Sequence, residues 1–79
     1  MTYYDKCKRY AETLPDLYGD LPFGTYRFVA PRLSLWHAEM TLCWGPEGYA
    51  IVASGRTREL ACKRLWETLV EDYGVKENG

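Results

Sequence analysis

LSLWHAEMTLCWGPEGYAIVAS, residues 33 to 54, alternates with a period of two on both sides of a turn signal. Its first half puts Trp36, Ala38, Met40, Leu42 and Trp44 at even positions, and His37, Glu39 and Thr41 among the odd ones. Successive side chains of a strand point to opposite faces, so this reads as a long half-buried strand with its apolar set inward. Gly45-Pro46-Glu47-Gly48 reads as a four-residue hairpin loop with proline at the second turn position. That loop pairs Trp44 with Tyr49, Leu42 with Ile51 and Met40 with Ala53. The third strand, Tyr49 to Ser54, then turns Tyr49, Ile51 and Ala53 to the core.

Working outward, TYRFVA (Thr25 to Ala30) reads as a first strand stopped by Pro31. Near the start of the chain, Thr2-x-x-Asp5 is a capping-box variant that opens a helix. Tyr3, Cys7, Ala11 and Leu14 follow at helical spacing, and Pro15 ends the ladder because it has no N–H to give. The segment PDLYGDLPFG reads as a helical turn and then a loop. Beyond the third strand, Thr57 caps a last helix and Gly74 stops it. The inner stripe of this helix is Ala61, Cys62, Leu65, Trp66, Leu69 and Tyr73.

The order is α-β-β-β-α in one domain over residues 1 to 79. The fold class is α+β: a three-stranded antiparallel meander with both helices on one face, which buries every apolar stripe just named. The other sheet face stays open. By alternation it carries Arg27, Val29, Leu35, His37, Glu39, Thr41, Cys43, Ala50 and Val52, a set poor in charge and suited to pairing two copies.

Seventy-nine residues, 47% apolar and 27% charged, make a folded chain and not a disordered one. Twelve aromatic rings (Trp 3, Tyr 7, Phe 2) help so small a domain build a core. No apolar run approaches the ~18 residues of a membrane span. The polar, aromatic Met1–Lys6 predicts no signal peptide. Three cysteines without a C-x-x-C argue against a disulfide framework or a zinc site and for a reducing cytosol. The net charge of -1 gives no overall pull toward nucleic acid or anionic lipid.

Charge order within the helices is more telling. In TRELACKRLWETLVEDYG, Thr57 to Gly74, the cations Arg58, Lys63 and Arg64 come first and the anions Glu67, Glu71 and Asp72 last. A helix prefers the reverse, because its N-terminus carries partial positive charge. The first helix is expected to repeat the pattern, with Lys6, Lys8 and Arg9 early and Glu12, Asp16 and Asp20 late or just beyond. With the helices side by side and parallel, Glu12, Asp16, Asp20, Glu67, Glu71 and Asp72 form a candidate acidic patch. Carboxylates so placed suit a basic groove on another protein, where they stand in for phosphates.

Three resemblances follow. The topology and the stretch ASGRTRELACKRL resemble a double-stranded-RNA-binding domain. Gly55 and Thr57 match the entry to its last helix, Arg58 its first phosphate-gripping lysine and Ala61 its alanine; Glu59 and Cys62 stand where two further lysines belong. That likeness implies nucleic-acid binding through Arg56, Arg58, Lys63 and Arg64. GRTRELACKRLWETL is similar to the strand-then-helix segment of HicB-type antitoxins. In type, a compact aromatic-rich chain with segregated charge looks like the small accessory proteins of phages and mobile elements, among them anti-CRISPR proteins that block a Cascade or Cas surface. That likeness implies an inhibitor whose acidic patch meets a basic surface of a Cas effector, in the host cytosol, with no cofactor and no membrane.

No catalytic constellation is legible. His37, the single histidine, lies six residues from Cys43 along one strand, about 20 Å at the usual rise, which excludes a dyad. Cys7 and Cys62 face inward, where a free cysteine acts as a small apolar residue. There is no P-loop, H-E-x-x-H or glycine-rich dinucleotide turn. The three tryptophans are read as core, with Trp36 the most exposed.

Overall fold

The computed structural model describes residues 1–15, 19–43 and 48–76. Its elements are α1 (Tyr3–Ala11), β1 (Phe23–Ala30), β2 (Leu33–Cys43), β3 (Tyr49–Gly55) and α2 (Arg58–Tyr73). The strands form one antiparallel sheet in the order β1-β2-β3, and both helices pack on one of its faces. The α+β meander expected from the sequence is the observed fold.

Each helix begins where its cap residue stands. The Thr2 hydroxyl accepts from Asp5 N–H at 3.0 Å, and its own O–H donates to Asp5 Oδ2 at 2.8 Å. Together with the backbone N–H of Thr2 these bonds close a capping box. They also hold the Asp5 carboxyl below its ordinary value, the hydroxyl contributing most. Thr57 accepts from Leu60 N–H at 3.0 Å, and Gly74 ends α2 in the left-handed region with φ 69°.

α1 is shorter than its apolar spacing suggests. Pro15 has no N–H for the carbonyl of Ala11, so Leu14 N–H takes that carbonyl instead at 3.0 Å, a tighter turn. The Thr13 hydroxyl donates to Tyr10 O at 2.6 Å in the same wind-down. The early stop overturns one expectation. Asp5 lies in the first turn of α1 and Lys8 and Arg9 in its last, the favourable order for a helix dipole. Only α2 runs backward, with no basic residue in its last turn.

The helices are parallel, as expected. Glu59, in the first turn of α2, accepts N–H bonds from Tyr3 (2.8 Å) and Tyr4 (3.0 Å) at the start of α1. One turn on, Cys7 Sγ meets Cys62 O at 3.5 Å; a turn later the rings of Tyr10 and Trp66 meet edge-on at 6.4 Å. The core beneath is small-residue rich: Cys7, Ala11, Ala38, Met40, Ala61, Cys62, Leu65, Trp66 and Leu69 are buried. Tyr73, expected in that stripe, is 44% exposed and stacks on Tyr49 at the start of β3.

The sheet corrects two expectations. Met40 pairs with Ile51 and Ala38 with Ala53, two residues away from the register expected, and an irregularity between Thr41 and Cys43 brings Cys43 opposite Tyr49. A two-residue slip preserves the face of every side chain, so Ile51 and Ala53 still point to the core. The tip residues Trp44–Glu47, and with them most of the expected hairpin loop, lie outside the described residues.

The second correction concerns β1. It pairs Ala30 with Leu33 across the two-residue turn Pro31–Arg32, so odd residues of β1 sit beside even residues of β2. Arg27 is opposite Trp36 and therefore on the helix side of the sheet, with Val29. Tyr26 and Phe28 take the open face beside His37 and Leu35. Arg32 completes the turn with φ 66°. A type II turn favours glycine at that position, and arginine there costs roughly 1–2 kcal/mol.

Two substitutions test these joints. Gly55→Ala would set its Cβ 2.7 Å from Ala61 N and 3.0 Å from Leu60 C, backbone atoms that cannot step aside. We expect a loss of about 1–3 kcal/mol in urea denaturation, from a change that is otherwise conservative. Glu59→Ala would strip two N–H groups of α1 of their acceptor. We expect about 1–2 kcal/mol lost, with early amide exchange at Tyr3 and Tyr4.

Candidate functional site

The parallel helices give the molecule two unlike ends. α2 starts beside Gly55, at the end of β3, and returns so that Tyr73 reaches Tyr49 at its beginning. The turn joining β1 to β2 lies at the helix-start end, because Trp36 near the beginning of β2 faces Gly55. One end therefore holds the N-termini of both helices and the β1–β2 turn. The other holds the helix tails.

The tail of α2 carries three of the six predicted acidic residues. Glu67 and Glu71 are exposed and one turn apart, on one stripe of α2. Asp72, also exposed, lies about 100° further round the helix. Among the described residues, no hydrogen bond or ion pair engages the carboxylates of these three. Glu12, the C-cap of α1, lines a shallow groove with Asp5, Lys8 and Arg9, so cations stand around it. Asp20 is exposed three residues ahead of β1, whose Phe23 ring touches Tyr4, on the far side of the sheet from β3. Asp16 lies outside the described residues. The structure thus groups Glu67, Glu71 and Asp72 and sets Glu12 and Asp20 apart from them.

The alternative cationic set divides in the same way. The Arg58 guanidinium lies over the Tyr4 ring at 4.6 Å, and Arg64 donates to the Ser54 carbonyl at 2.8 Å, closing part of the outer edge of β3. Arg56 and Lys63 are exposed, Arg56 at the helix-start end and Lys63 further along α2. Sequence reasoning missed two members of that end. Arg27 and Arg32 reach it through the β1–β2 turn, 24 and more residues earlier in the chain than Arg56. The signal was available: no acidic residue occurs between Asp20 and Glu39.

His37 is built into the sheet. Its Nδ1 lies 2.9 Å from Ser54 Oγ on β3, its ring stacks on Tyr26 at 5.1 Å, and Phe28 meets it edge-on at 6.4 Å. A serine beside a histidine has the distance of a nucleophile–base pair, which the sequence reading did not consider. Here the pair spans two strands on an open face, and among the described residues no side chain orients the other ring nitrogen. It serves as a cross-strand link. No cluster of three or more metal-ligating side chains occurs among the described residues, and no helix there is long and apolar enough to cross a membrane.

Burial pushes the Cys7 thiol up to about 12 and the Cys62 thiol up to about 11. Both therefore stay protonated and unreactive near neutrality. Because the folded values exceed the unfolded one, their contribution to stability is complete below about pH 8.5 and is lost as pH rises toward 11. In a Cys43→Ser variant, we expect the two remaining thiols to react with a disulfide reagent only at the rate of unfolding, and stability to fall between pH 9 and 11. Comparison with known proteins returns no matching family model, no curated relative and no similar solved structure, so residues and geometry alone carry the functional reading.

Proposed function

We propose that this protein is a non-enzymatic binding protein that inhibits a nucleic-acid-handling assembly. It does so by seating the acidic tail of α2 on a basic surface of that assembly, in the manner of anti-CRISPR proteins that block DNA binding by a Cas effector. The observation that supports this most is the state of Glu67, Glu71 and Asp72. They lie in the second half of α2, Glu71 and Asp72 in its last turn at the negative end of the dipole, exposed, their carboxylates without an ion pair or hydrogen bond among the described residues.

That placement is unfavourable by roughly 0.3–1 kcal/mol for each acid near the terminus, and the Glu67–Glu71 pair adds a few tenths. A basic groove would relieve both terms on contact. Carboxylates facing Arg or Lys make charge-assisted hydrogen bonds, and complementary potentials speed the encounter. The double-stranded-RNA-binding reading gains less from the geometry. Arg58 and Arg64 are already engaged with Tyr4 and Ser54, and Lys63 stands further along α2.

Stability and binding should move in opposite directions. The triple variant Glu67→Lys, Glu71→Lys, Asp72→Lys removes the clash with the dipole, so its melting temperature should hold or rise by a few degrees. Its capture of the host complex in a pull-down, scored against the unaltered protein, should vanish. Undiminished capture by the reversed protein would refute the reading.

A further inference from the structure

The strands of the sheet are unequal in reach. β3 ends at Gly55, opposite Trp36. β1 and β2 continue for three more rungs, Phe28↔Leu35, Val29↔Ser34 and Ala30↔Leu33, before turning at Pro31–Arg32. At about 3.3 Å per residue this is a two-stranded ribbon projecting about 10 Å past the third strand. It is bare on both faces: Phe28 is 51% exposed, Val29 66% and Leu33 47%, and Arg27, Arg32 and Ser34 are exposed with them.

An apolar ribbon left in water is a liability unless something covers it. This one is also stiff. The Tyr26–His37 stack, the edge of Phe28 and the His37–Ser54 hydrogen bond brace its foot. Across its two strands Arg27 Nε donates to Ser34 Oγ at 2.8 Å. A braced ribbon loses little conformational freedom when it is covered.

Charge identifies what covers it. Arg27 and Arg32 are the only residues with fixed charge between Asp20 and Glu39. Arg56 and Arg58 stand near the foot, where β3 hands over to α2. Two acids at this end, Asp5 and Glu59, face backbone N–H groups, and the four arginines still outnumber them. Arg32 holds the apex in the left-handed region, where glycine would be the relaxed choice.

We propose that the β1–β2 ribbon is an arm that enters the major groove of duplex DNA. That groove, about 12 Å wide and 8.5 Å deep, admits a two-stranded ribbon and matches the reach of this one. Arg32 at the apex meets base edges, where arginine pairs with guanine, and Leu33 beside it meets thymine methyl groups, with Phe28 and Val29 against the two groove walls nearer the foot. Arg27 and Arg56 flank the arm as phosphate contacts, with Arg58 adding to the positive field. Duplex RNA hides its bases in a deep, narrow groove that such an arm does not fit. These residues are separate from Glu67, Glu71 and Asp72, so either surface can fail without the other.

The test is fluorescence anisotropy of the full chain against labelled duplex DNA, the matching duplex RNA and the single strand. With Arg27 and Arg56 each engaging one phosphate, DNA affinity should fall about 12-fold between about 50 and 200 mM salt. Arg32→Gly should raise the melting temperature, because it relieves the turn, and weaken DNA binding about tenfold. Arg56→Ala should reduce the salt slope by about one. The proposal is overturned by any of three results: no DNA binding at low salt with protein near 100 µM, equal affinity for duplex RNA, or an Arg32→Gly protein that binds as well as the original. Capture of an acidic protein by the arm, with DNA ignored, overturns it too.

Discussion

Glu59 is the joint of this molecule. Its carboxylate takes the first two N–H groups of α1, 55 and 56 residues earlier in the chain. Those donors would otherwise have no partner within their helix. The bond does more than satisfy them. It ties the beginning of one helix to the beginning of the other, and so forces the pair to run parallel. The contacts that follow, Cys7 with Cys62 and Tyr10 with Trp66, are successive turns of that alignment. A side chain at the start of α2 thus decides which charges of α1 and α2 share an end.

The core built on this joint is modest. Among the described residues, five of the nine core side chains are alanine or cysteine, and Met40 is the largest that is fully enclosed. Small residues let the helices and the sheet approach closely, and half-buried rings close the rim: Tyr4 against Phe23, Tyr10 against Trp66, Tyr49 against Tyr73. At Gly55 the approach is so close that there is no room for even one carbon more. β3 and α2 therefore meet without slack, and the sheet keeps its orientation where its longer strands run on.

Local signals were the most legible part of the chain. Thr2 with Asp5, Thr57 and Gly74 are chemical statements about a few neighbouring residues, and each stands where the sequence placed it. The inward face of β2 was equally plain, since Ala38 and Met40 lie under a helix and alternation there tracks burial. TYRFVA defeated the same logic because most of it lies beyond the core. Its aromatic and its charged residues are both exposed, so alternation carries no information about burial. Turn length decides its parity: one residue more or fewer between Ala30 and Leu33 would exchange its faces. The acidic tail of α2 could be read directly, being local. The companions of Arg56 at the opposite end could not, because Arg27 and Arg32 join it only through strand pairing.

Parallel helices have a consequence in the backbone itself. Antiparallel neighbours largely cancel their peptide dipoles, whereas these two add, positive toward the arginines and negative toward Glu71 and Asp72. Along α2 the main chain and the late acids therefore polarise the protein in the same sense, although its formal charge is only -1. Near a polyelectrolyte such a body feels a torque before it feels an appreciable net pull. It turns first and touches afterwards, so the pose at first collision is already selected in free solution.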